Sequence, residues 1–226
     1  MRGQRRLVFL PPGSPLDFPD PRLADDEGLI AVGGDLSPER LLLGYERGIF
    51  PWYSAGLPPV WWSPNPRAVM DRERLHISRS MRRLIRTSPF VLTYDRAFAE
   101  VMQACGEERE GGTWILPEML LAYTHLHELG HAHSYEVWQD ERLVGGIYGV
   151  QRGALFAAES MFHRASNASK FALIGAIDRL FEAGIELFDV QFLTPHLESL
   201  GAHTISRGEY LERVAAAVTK TVALER

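Results

Sequence analysis

The chain has one cysteine, Cys105, in 226 residues. That excludes an internal disulfide and fits a reducing compartment. It has no apolar run near the length of a membrane span. Its basic start, MRGQRRLVFLPPGSP, lacks the apolar stretch of a secretion signal, so the cytoplasm is the expected location. It has no surplus of positive charge: the net charge is -5, so any nucleic-acid contact must be a local patch. It has no internal repeat and no low-complexity tract. The hydrophobic content of 46% and charged content of 23% are those of an ordinary soluble globule.

What is abundant is proline and aromatic side chains together. The stretch GIFPWYSAGLPPVWWSPNPR, residues 48 to 67, holds Phe50, Trp52, Tyr53, Trp61 and Trp62 among five prolines. Proline at that density predicts irregular backbone rather than a helix or a central strand. Such a loop either glues two lobes together or offers rigid rings for stacking on a nucleotide base.

The periodicities predict an α+β chain. Ser37-Pro38-Glu39 opens a helix that Gly48 closes. The SPNPR segment marks a boundary between a small loop-rich domain, residues 1–65, and a larger one, residues 66–226. In the larger one, Ser78 to Thr87, Ala97 to Ala104 and Pro117 to Leu129 read as helices and 90–95 as a strand. AHSYEVWQ, RLVGGIYGVQ and GALFAAESMF read as a meander with short links. Asn167 to Ala183 reads as a long helix capped by Asn167, and ELFDVQF as a strand. Thr194 to Leu200 then reads as a short helix, HTIS as a strand and Gly208 to Leu224 as the last helix.

Three patterns carry chemistry. Arg79, Arg82, Arg83 and Arg86 share one helical face, which is either solvated or a phosphate-binding surface. Glu159 lies in the apolar run ALFAAESMF. Asp189 and Gln191 lie two apart in ELFDVQF, on one face of their strand. Acids there need a partner, either a structural cation or an incoming cationic ligand. His127-Glu128-Leu129-Gly130-His131 matches a zinc motif, but Gly130 should end the helix between the two histidines, so no metal is expected. The glycines of GGIYGVQRG fall within strands and suggest close backbone approach, not a phosphate loop.

The phrases GGDLSPERLL, RGIFPWY, WWSPNPR, GTWI, AYTHLHELGHAHSYEVW, AAESMF, FDVQF and HLESLGA together resemble the leucyl/phenylalanyl-tRNA–protein transferase family. The resemblance runs from about Glu27 to Tyr210. It implies an acetyltransferase-like (GNAT-like) C-terminal mixed sheet with flanking helices. It implies transfer of Leu, Phe or, less well, Met from aminoacyl-tRNA to proteins beginning with Arg or Lys, marking them for N-degron proteolysis. By the same resemblance, Trp52 and Trp114 hold the terminal adenosine with Tyr123 nearby. Ile147, Phe156, Leu173, Ala176 and Phe188 line the pocket for the Leu or Phe side chain. Glu159 and Asp189 face the acceptor's Arg or Lys, and Gln191 binds its α-amine, with Asp189 either polarising Gln191 or receiving charge as the proton leaves, so that Asp189, Gln191 and Glu159 form the catalytic group. The arginine face carries the tRNA body. No cofactor is implied and a monomer is expected. The acetyltransferase pyrophosphate loop is absent from FHRASNASK, which argues against the alternative of an acyl-CoA-dependent acetyltransferase. A non-catalytic tRNA-binding protein, the other alternative, needs no acid and amide beside an apolar pocket.

Overall fold

The computed structural model describes residues 7–107, 113 and 115–224. The first part builds a four-stranded sheet from β1 (Val8–Leu10), β2 (Leu29–Gly33), β3 (Phe50–Pro51) and β4 (Val60–Trp62), with α1 (Pro38–Glu46) packed against it. The strand order is β1-β2-β4-β3. Ser37 caps α1, accepting from the Arg40 amide at 3.4 Å, and Gly48 leaves the helix with φ 72°.

The aromatic stretch is more regular than its prolines predict. β4 lies between two other strands and carries Trp61 and Trp62. The prolines flank this strand instead of entering it, and Pro51 sits on the edge strand β3, so no inner ladder bond is lost. Trp61 is fully buried and donates its indole N–H to the Gly33 carbonyl at 2.8 Å. Trp52 stays 44% exposed. One stretch thus supplies both a core ring and a surface ring.

The second sheet has seven strands. They are β5 (Arg67–Met70), β6 (Val91–Tyr94), β7 (Ala132–Gln139), β8 (Arg142–Arg152), β9 (Leu155–His163), β10 (Leu187–Gln191) and β11 (His203–Ile205). Their order is β11-β5-β10-β9-β8-β7-β6. Every pair is antiparallel except β9 with β10. The helices are α2 (Arg79–Thr87), α3 (Phe98–Glu107), α4 (Pro117–Glu128), α5 (Ala168–Glu182), α6 (Pro195–Glu198) and α7 (Arg207–Ala217). This is the α+β mixed sheet with flanking helices that the sequence implies.

The meander's tight links hold. Asp140 and Glu141 both adopt left-handed backbone (φ 48° and 61°), which matches the twist of the flanking strands. Gly145 lets α5 approach β8, since a Cβ there would lie 2.6 Å from that of Ala168. Apolar side chains of α3, α4 and the small sheet form one cluster on one face. Those of α5, β5 and β10 form another on the opposite face. The first cluster runs without a break from Trp61 of the small sheet to Tyr148 of the large one.

Two helix ends differ from expectation. Asn167 precedes α5 in a left-handed conformation and its side chain makes no capping bond. The last helix stops at Ala217, whose carbonyl accepts from the Ala154 amide (2.9 Å) and the Lys220 amide (3.1 Å), and beyond it the Val222 carbonyl accepts from the Gln151 side chain (2.9 Å).

Candidate active site

β9 and β10 pair from Leu187 with Leu155 to Asp189 with Ala157, and then part. Each strand carries an extra residue where they separate. On β9, Ser160 faces Tyr148 and Ala158 faces Gly149, leaving Glu159 as the bulge. On β10, Asp189 faces Val69 and Gln191 faces Ala68, leaving Val190 as the bulge. Bulges bend a strand and re-aim its side chains. Gln191 itself adopts φ 54°, a conformation that non-glycine residues rarely take. Gly149, opposite the first bulge, has no room for a side chain: a Cβ would lie 2.4 Å from the Ala157 oxygen.

The gap between the strands holds a cavity of about 360 Å³. Ile147, Ala158, Leu173 and Val190 give it apolar walls, and Glu159 and Gln191 make it polar at one place. Trp52 and Phe192 line it with half-exposed rings whose centroids are 5.7 Å apart.

The two acids have opposite surroundings. Asp189 is fully buried, and Arg67 grips it with a bidentate fork, Nε to Oδ1 at 2.8 Å and NH2 to Oδ2 at 2.6 Å. The Tyr210 hydroxyl donates to Oδ2 at 2.9 Å and the Gln191 amide N–H to Oδ1 at 3.0 Å. Arg67 is itself buried, stacked over Phe50 (4.7 Å) and Tyr210 (4.4 Å). Burial alone would weaken its hold on the proton, but the charge of Asp189, the hydrogen bonds to it and the neighbouring Tyr210 together outweigh this and keep it a cation.

Among the described residues Glu159 has no such cation in contact. Its Oε1 accepts from the Tyr45 hydroxyl at 2.8 Å and from the Gln191 side-chain amide at 3.4 Å. The Tyr123 hydroxyl lies 2.6 Å from that of Tyr45. A hydroxyl has one proton, so Tyr123 donates to Tyr45 and Tyr45 to the acid. Burial, reinforced by Glu159, raises both phenols well above their ordinary range, so they remain donors. Glu159 is half-buried where it borders the cavity, and burial pushes it from the usual 4.5 up to about 8. The Tyr45 bond opposes that rise and the charge of Asp189 adds to it. At neutral pH the free acid therefore carries its proton.

The structure brings Trp52, Ile147, Leu173, Glu159 and Gln191 to one cavity. Phe156, Ala176 and Phe188 are fully buried one layer behind the wall. Tyr123 is fully buried behind Glu159, which it reaches through Tyr45. Asp189 does not line the cavity, and its cation is Arg67 of the chain itself. That corrects the expectation that it faces the acceptor. Trp114 lies outside the described residues. Arg79, Arg82, Arg83 and Arg86 are all exposed on α2, which Ser78 caps at the Met81 amide (3.2 Å). Sequence reasoning missed Tyr45, Arg67 and Tyr210, as well as Val190 and Phe192 of the cavity.

The histidine-rich turn has internal partners. Gly130 is left-handed (φ 82°) just past α4, as its position predicts. His127 stacks flat on Phe98 at 4.5 Å and bonds the Ala132 carbonyl at 2.8 Å, while His133 bonds Asp95 at 2.7 Å.

A cavity that is apolar in bulk, with an acid and an amide coupled at one place, is suited to a transferase that seats an apolar acyl group beside groups that handle protons and amines. Which transferase is decided by comparison: the chain belongs to the leucyl/phenylalanyl-tRNA protein transferase family. The model of that description matches residues 69–215, and the model of the family's N-terminal domain matches residues 34–65. A leucyl/phenylalanyl-tRNA–protein transferase of Klebsiella pneumoniae (strain 342) is 53% identical over 209 residues, covering 92% of this chain and 89% of the relative. That of Edwardsiella ictaluri (strain 93-146) is 52% identical over 210 residues, covering 92% and 87%. Among solved structures, L-PGS from Bacillus licheniformis is similar at 14% identity and a TM-score of 0.37, covering 75% of this chain and 57% of its own. That match is too loose to bear on function. Family membership makes the chain an enzyme, which sets aside the reading of a non-catalytic tRNA-binding protein.

Proposed function

We propose that the protein transfers Leu, Phe or, less well, Met from aminoacyl-tRNA to the α-amine of polypeptides beginning with Arg or Lys, creating N-degrons in the cytoplasm. The observation that carries this reading is the cavity: apolar walls that can receive such a side chain, with Glu159 and Gln191 together at its polar part. The reaction is aminolysis of an ester. A free peptide amine, with an ordinary pKa of about 7.7–8.0, is already a competent nucleophile. The enzyme then has to orient two substrates and steer protons.

In this reading the Leu or Phe side chain packs on Ile147, Leu173 and Val190. A methylene there is worth only about 1–3 kcal/mol, so the three donors overlap. Trp52 stacks on the terminal adenosine at the exposed rim. Gln191 binds the acceptor's α-amine. Glu159 meets the cationic side chain, and the arriving charge favours release of its proton. Asp189 does not touch substrate. The arginines of α2 hold tRNA phosphates.

The test is incubation with labelled Leu-tRNA and peptides that differ only at the first residue. Arg and Lys peptides should acquire label and a Glu peptide should not. Equal labelling of the Glu peptide would sink the acceptor assignment.

A further inference from the structure

Beside Gln191 stands a group of side chains, Arg67, Asp189 and Tyr210, that does not line the cavity. The Gln191 backbone is left-handed at φ 54°, in a residue with a full side chain, at the point where β10 leaves β9. Such a conformation persists only where its surroundings enforce it. What enforces it is visible. The Gln191 amide N–H donates to Asp189 Oδ1 at 3.0 Å, across a two-residue turn of chain. That oxygen also takes the Arg67 Nε, and the second oxygen takes Arg67 NH2 and the Tyr210 hydroxyl. Arg67 is held in turn by Phe50, Tyr210 and the Gly48 carbonyl (3.4 Å). The carboxylate accepts four hydrogen bonds from inside the chain and is wholly buried. It has no place left for a substrate cation or a travelling proton.

We propose that Arg67 and Tyr210 are positioning residues: acting through Asp189, they fix the left-handed turn at Gln191 and so set where its side-chain amide meets the acceptor amine. This rests on the transferase reading above. The assembly draws on distant parts of the chain. Arg67 opens β5 and Tyr210 lies on α7, so the last helix contributes to the site without reaching the cavity.

The test uses Tyr210→Phe, which removes one hydroxyl and keeps the ring stacked on Arg67. Loss of the hydroxyl's two bonds, to Asp189 and from Arg67 NH2 (3.2 Å), should lower kcat about tenfold, with KM for aminoacyl-tRNA within about twofold of wild type. The pH profile of kcat should keep its midpoint, because the positioning group exchanges no proton with substrate. Glu136→Gln serves as the comparison. This buried acid accepts from the Thr93 and Ser134 hydroxyls of β6 and β7 and from the Arg96 and Ala97 amides just ahead of α3, away from the cavity. It should lose stability while leaving kcat unchanged. Unaltered kcat in Tyr210→Phe, a displaced pH midpoint, or an equal loss in Glu136→Gln would each overturn the proposal. If Tyr210→Phe does not fold, Arg67→Lys carries the same test, since it keeps the charge and loses the fork. A wild-type chain that labels no Arg peptide would instead sink the functional reading. An active wild type with a fully active Tyr210→Phe would sink this inference alone.

Discussion

Glu159 on β9 and Asp189 on β10 stand at the same parting of strands, yet the protein treats them in opposite ways. Asp189 is closed: a guanidinium, a phenol and a backbone amide fill both of its oxygens. Glu159 is open: one phenol and one long amide bond reach one of its oxygens, and the cavity borders it. A buried acid with a full internal complement can only hold structure. A half-buried acid short of one keeps a proton at neutral pH and has something to exchange with a ligand. The contrast comes from neighbours, since both acids lie in apolar strands of similar composition.

The sharpest way to break this comparison is to empty the closed site. Asp189→Ala leaves Arg67 buried without its counter-charge. That should cost about 3–5 kcal/mol in urea unfolding and abolish transfer. A variant as stable as wild type would show that the fork does not hold the two strands.

The open site gives the next effect. Glu159→Gln keeps the shape and removes the charge that Glu159 takes on when the cationic acceptor arrives, so transfer to an Arg peptide should fall about a hundredfold. Its pH signature is opposite to that of a salt-bridged acid. The folded acid titrates near 8 and the unfolded one near 4.5, so across that window the folded state holds a proton that the unfolded state has released. Wild-type stability therefore falls as pH rises through the window. In Glu159→Gln that part of the slope should vanish from a plot of melting temperature against pH. Parallel slopes in the two proteins would mean that Glu159 is not the proton holder.

The smallest effect on chemistry should come from the arginines that are neither buried nor paired like Arg67. Replacing Arg82 and Arg86 by alanine should weaken Leu-tRNA and Phe-tRNA alike. It should flatten the log–log salt dependence of binding by about two units. A minimal aminoacyl-adenosine donor should react nearly as before. If it fails with the full tRNA, α2 serves the fold or the pocket instead.

Much of this was readable in the residues. Alternating runs with two-residue links gave the meander, and a serine cap with a glycine stop gave α1. Glu159, Asp189 and Gln191 stood out because polar groups in apolar strands need a reason. The bulges left no mark, since an extra residue in a ladder is defined by its partner strand. Arg67 hid at the end of a proline-rich segment. Its position ahead of the apolar run AVM was the one available sign that Asp189 had an internal cation. Tyr45 and Tyr210 sit on helices as ordinary amphipathic residues. Phe156, Ala176 and Phe188 are as apolar as Ile147 and Leu173, and no pattern separates a pocket wall from the layer behind it.

The lone thiol has a practical meaning. Cys105 lies inside α3, 2% exposed, among the packed residues of the first core cluster. Buried structural thiols of this kind are inert to reagents. The natural chain therefore arrives as a silent background for site-directed labelling. A cysteine introduced on the outer face of α2 or beside Trp52 would be the single reactive sulfur. A dye or spin probe placed there could report the approach of tRNA with no native residue removed first.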